Sequence, residues 1–101
     1  MPNINELQIE YKQLNEALEA HFTKYDDLPV NVSEEVLDEL DNQVESIYDR
    51  LDEITTYLES SIAPILKKQD ATIDDETIRR MFVFKREKTI SLAFRLLKLS
   101  A

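Results

Sequence analysis

Apolar side chains recur at alternating spacings of three and four along two long stretches of the chain. Ile4, Leu7, Tyr11, Leu14, Leu18, His21 and Tyr25 form the first stripe, with Phe22 beside it. Such a repeat keeps one side of an α-helix apolar, and it predicts a helix over about residues 3–25. The second stripe is longer and runs Leu37, Leu40, Val44, Ile47, Leu51, Ile54, Leu58, Ser61, Ile65. It predicts a helix over about residues 34–63. Between them, Pro29 biases Leu28 away from helical backbone, and Ser33 is a fitting N-cap ahead of Glu34 and Glu35. So short a connection favours antiparallel neighbours, hence a helical hairpin.

Pro64 interrupts the second stripe. Its ring clashes with the carbonyl four residues back and it donates no hydrogen bond, so a kink or a stop is expected near residues 60–63. The polar stretch KKQDATIDDE follows, with Thr72 or Asp74 able to cap a third helix over about residues 75–99. Its apolar residues fall in two stripes. Ile78, Met81, Phe82, Leu92, Ala93, Leu96 and Leu99 make one, and Val83, Ile90, Phe94 and Leu97 flank it. A helix so apolar has two faces to bury, one on the hairpin and one on a second subunit or a partner. The run Met81 to Lys85 has strand propensity, but no second run exists to pair with it.

Composition narrows the chemistry. The 101 residues contain no glycine and no cysteine. Without glycine there is no P-loop, no dinucleotide-binding turn and no EF-hand loop, and turns with positive φ are disfavoured. Without cysteine there is neither a disulfide framework nor a thiolate site. The sequence reads as one all-helical domain over residues 1–101. The polar N-terminal stretch and the lack of a long apolar run give a cytoplasmic protein with no membrane association as the expectation.

Charge is the strongest pattern of all. Residues 1–66 carry 16 acids and 3 bases, giving -13, whereas residues 67–101 carry 5 acids and 9 bases, giving +4. On the second helix Glu34, Asp38, Asp41, Glu45, Asp49 and Asp52 fall on one strip, each about one turn from the next. Arg50 is the only base between Lys24 and Lys67. The strip has three readings. It is a solvated face that keeps the chain soluble, a face neutralised by the bases of the third helix, or a docking surface for a basic partner that in one form imitates a nucleic-acid backbone.

Other constellations carry less. The patch RRMFVFKREK mixes bases with aromatics as single-strand binders do, yet Phe82 and Phe84 serve a core equally well and the net charge repels nucleic acid. His21, the sole histidine, sits on the apolar stripe as a structural residue, with no Glu-x-x-His pair to build a metal site. Glu34, Glu35, Asp38, Asp49 and Asp52 resemble in composition the metal-binding acids of all-α nucleotide pyrophosphohydrolases. That resemblance implies a Mg2+-dependent hydrolase. In that family, however, the acids face each other from different helices, and no turn signal divides Leu40 from Asp49 here.

The expectation is therefore an all-α chain, an antiparallel hairpin plus a C-terminal third helix in a three-helix bundle, dimerised. Its expected role is non-catalytic, with no cofactor and no metal. It is read as an adaptor, chaperone or inhibitor of a larger machine, a class in which the helical chaperones of secretion and flagellar export have similar size and acidity. The partner is a protein with a basic surface, not nucleic acid directly. The docking residues are the six strip carboxylates with Phe84 and Phe94. The alternatives are a nucleic-acid mimic that inhibits a DNA- or RNA-handling protein, and the Mg2+-dependent hydrolase.

Overall fold

A computed structural model describes residues 3–100. They form α1 (Ile4–Asp26), α2 (Glu34–Gln69), α3 (Asp75–Val83) and α4 (Glu87–Ser100), with no strand among them. Each of the first three helices begins on a side chain that accepts its free N–H groups. Asn3 takes those of Asn5 and Glu6, Ser33 that of Val36, and Asp74 that of Thr77. The Asp74 carboxyl is held below its usual range by those hydrogen bonds.

α1 and α2 run antiparallel. Tyr25 hydrogen-bonds Asp41, His21 meets Gln43, and Glu10 meets Arg50, so rising numbers on one helix match falling numbers on the other. α3 and α4 fold back against the far half of α2. α4 also runs antiparallel to the first half of α1, where Lys98 bonds Gln8 and Phe94 packs edge-on to Tyr11, with centroids 6.1 Å apart. The core lies there. Leu7, Ile54, Leu58, Ile62, Ile78, Phe82, Ile90, Ala93 and Phe94 form one buried cluster.

Two features differ from the sequence reading. First, α2 does not stop at Pro64 and continues to Gln69. Pro64 and Ser60 are both exposed, so the Ser60 carbonyl left without a donor is open to water. Ile62 beside them is fully buried, and Leu66 packs on the core. Burial of those residues holds the last turns in helical form against the local cost of proline.

Second, the expected third helix is two helices, giving four in place of three. The chain turns at Phe84–Arg86, where Lys85 takes φ 46°, the left-handed region. Its N–H still bonds the Phe82 carbonyl at 3.1 Å. In a chain without glycine a lysine has to adopt this conformation, which costs about 1 kcal/mol or more. The side chain holds the corner in place, because Lys85 Nζ lies 2.6 Å from the Asp52 carboxylate on α2. Lys85→Gly and Lys85→Ala both remove that pair, but only glycine relieves the backbone. Lys85→Gly is expected to be more stable than Lys85→Ala by about 1 kcal/mol in urea melts, and equal stabilities would remove backbone strain from the account.

The outcome is a stepped rod. It measures 56 × 26 × 21 Å with a radius of gyration of 17.0 Å, against about 13 Å for a compact chain of this length. One half holds all four helices; the other is the bare hairpin of α1 and α2, referred to below as the arm.

Candidate interaction surface

α2 runs unbroken through Leu40 and Asp49, so all six strip carboxylates stand along one helix, exposed to solvent. Among the described residues, no group of three or more potential ligands converges where a metal ion would sit. The acids that resemble a hydrolase set project side by side from a single element.

Their neutralisation is uneven. Asp52, at the core end, is paired with Lys85. Asp41 accepts the Tyr25 phenol, and this bond pushes the Tyr25 pKa up to about 12. The folded state therefore holds that proton more tightly than the unfolded chain does. The bond's contribution is full below the ordinary tyrosine pKa of 10.0 and is lost as pH rises through about 12. Glu34, Asp38, Glu45 and Asp49 have no cationic partner among the described residues. The bases of α3 and α4 do not reach them. Lys85 meets the strip at Asp52, and at 1.5 Å per residue Glu34 lies about 27 Å further along.

Other bases are engaged elsewhere. Arg50 grips Glu10 through Nε and a terminal nitrogen at 2.6 and 2.8 Å and reaches Glu53 at 2.9 Å. This fork lowers the Glu10 carboxyl pKa below 4.5, so the clamp is intact above that pH and is lost as pH falls through the folded value. Lys67 pairs with Asp75 and Arg80 with Glu76. Spacing along the sequence could not reveal the Glu10 to Arg50 clamp, which joins different helices. His21 joins the two helices of the hairpin: Nδ1 donates to the Ala17 carbonyl at 2.7 Å, and Nε2 lies 2.7 Å from Gln43 Oε1 on α2.

Phe84 and Phe94 separate. Phe84 is 74% exposed at the turn between α3 and α4, with the Arg86 guanidinium 5.5 Å from its ring centroid. It adjoins Lys85, and through it the Asp52 end of the strip. Phe94 is only 1% exposed and belongs to the core, so it offers nothing to a partner, contrary to expectation. The accessible apolar residues of this region are Val83, Phe84, Leu92 and Leu99. Their spacing carries no mark of this, because the break at Lys85 decides which stripe points inward.

A cleft of about 680 Å3 opens between α1 and the start of α4. Its charged lining is Lys12, Lys85, Glu16, Glu19 and Glu87, so cations and carboxylates are interleaved with one carboxylate in excess. No helix among the described residues is long and apolar enough to cross a membrane. In comparisons with known proteins, no family model, no curated protein and no solved structure matches this chain.

Proposed function

We propose that this protein is a non-catalytic interaction module, an adaptor, chaperone or inhibitor that acts as a homodimer and captures a protein partner with a basic surface. The supporting observation is the row of carboxylates on the arm. Glu34, Asp38, Glu45 and Asp49 face water without a cation among the described residues, while the nearest base of the C-terminal region stops at Asp52. Unbalanced charge along a rod raises the encounter rate with an opposite surface. Phe84, exposed beside the Asp52 end, supplies an aromatic anchor that becomes desolvated once the partner is aligned. The first step depends on salt; the second does not.

The arrangement has a cost in stability. Asp38 and Glu45 each have a like-charged neighbour one turn away on both sides, and such pairs cost a helix about 0.2–0.5 kcal/mol each. Counting Glu35 against Asp38 as well, Asp38→Asn with Glu45→Gln relieves five of them, so the double variant is expected to gain about 1–2.5 kcal/mol in urea melts. Wild-type protein should melt higher as NaCl rises, because screening relieves the same repulsion. The test joins this stability to binding. Proteins are captured from the host lysate at low and high salt on wild type, on the double variant and on Phe84→Ala. Basic partners retained at low salt by wild type, and lost by a double variant that is itself more stable, support the reading. Identical retention on all three overturns it.

A further inference from the structure

One face of α2 changes character where α3 and α4 end. Leu37, Asp41, Val44, Tyr48, Leu51 and Thr55 share a side of the helix at spacings of 4, 3, 4, 3 and 4. Leu51 and Thr55, close to the Asp52 that Lys85 reaches, are buried, whereas Tyr48 is 42% exposed and Leu37 and Val44 are half-buried. On the arm α1 covers the inner edge of this face, where Tyr25 bonds Asp41 and Leu37 and Val44 are half-buried, while Tyr48 and the outer edge carry the core-forming face on into solvent.

The outer face of α4 has a matching pattern. Lys88, Leu92, Arg95 and Leu99 recur at 4, 3 and 4, with Leu96 alongside. Leu92 is 39% and Leu99 77% exposed, and neither Lys88 nor Arg95 has a carboxylate partner among the described residues. Each face extends about 16 Å along its helix. One is apolar and acidic; the other is apolar and basic.

We propose that a second copy of this chain covers both faces. Two stepped rods interlock about a twofold axis, the outer face of α4 in each lying along the outer edge of the α2 face of the other. Complementary charge selects this pairing over the alternatives. Packing arm on arm would set two unneutralised carboxylate rows together, and packing α4 on α4 would set Lys88 and Arg95 against their own copies. A reciprocal contact, in which face i meets face j and face j meets face i, satisfies both at once and closes as a dimer. Asp38 and Asp49, farthest round the strip from this face, stay open to an external partner, and Glu45 lies between the two surfaces. The inference rests on the dimer proposed above and names its surfaces.

Charge reversal tests it. Lys88→Glu with Arg95→Glu makes both faces acidic, and Asp41→Lys with Glu45→Lys makes both basic. All four positions are exposed, and circular dichroism checks that each variant remains helical. By analytical ultracentrifugation wild type is expected at twice its 11.8 kDa chain mass. Each variant alone should dimerise more than about 100-fold more weakly, and an equimolar mixture of the two should recover the dimer. A wild type that stays monomeric at high concentration removes the dimer and this interface together. A wild-type dimer whose variants still dimerise, or whose mixture fails to recover it, overturns the interface and leaves the dimer standing.

Discussion

Phe94→Ala is expected to destabilise the protein by about 3–5 kcal/mol, the range for emptying an aromatic site in a packed core. Phe94 is 1% exposed and joins α4 to α1 through its edge-on contact with Tyr11, so truncation removes transfer free energy and leaves a cavity at a junction of helices. For a domain of this size the melting temperature falls by at least about 12 °C. Phe84→Ala is the control. Its ring is 74% exposed with Arg86 beside it, and removal should leave thermal stability within about 0.5 kcal/mol of wild type. Differential scanning calorimetry separates the two, and comparable losses would contradict the division between a buried and an exposed phenylalanine.

That division shows what the sequence could convey. Both rings lie in apolar stretches at helical spacing, and an uninterrupted helix over residues 75–99 placed both near one docking side. A single residue in left-handed backbone rotates everything after it. Glycine or asparagine usually marks such a position; here it is Lys85, whose side chain gives no such signal. The two stripes that implied a helix with two faces to bury divide between two short helices, each with one inward stripe, while Leu92 and Leu99 stay exposed on the outer side of α4. Ile78 and Phe82 serve α3, and Ile90, Ala93 and Phe94 serve α4.

The hairpin was legible because its signals are local and agree with one another. A continuous 3-4 repeat, a proline after Leu28 and a serine cap at Ser33 all fix the same boundary, and Ser33 does accept the Val36 N–H. The carboxylate strip was legible for a related reason: side chains opposite a buried seam on a straight helix have to face water. Which of them find cations was not legible. Arg50 turns to Glu10 across the hairpin, and Lys85 reaches Asp52 only because the chain breaks beside it. These contacts depend on how helices are placed, and periodicity within one helix contains no such information.

Pro64→Ala is expected to stabilise the protein by about 2–3 kcal/mol, close to the full difference between the two residues inside a helix. Alanine supplies the N–H that the Ser60 carbonyl lacks and removes the ring that crowds it. Position 64 is exposed, so the change empties no core site. What opposes it is the seating of the last turns. Ile62 and Leu66 pack on the core and Lys67 pairs with Asp75 at the start of α3, all with proline in place. Any change that the substitution makes in the course of α2 would draw these contacts off α3 and return part of the gain. Urea denaturation of Pro64→Ala alone and with Lys67→Ala measures how much. A gain of about 2 kcal/mol or more in both backgrounds means the proline is a local defect held helical by Ile62. A loss on Pro64→Ala would mean that the direction proline gives α2 is what brings α3 against Ile62, and the core would then depend on the residue that looked least compatible with its helix.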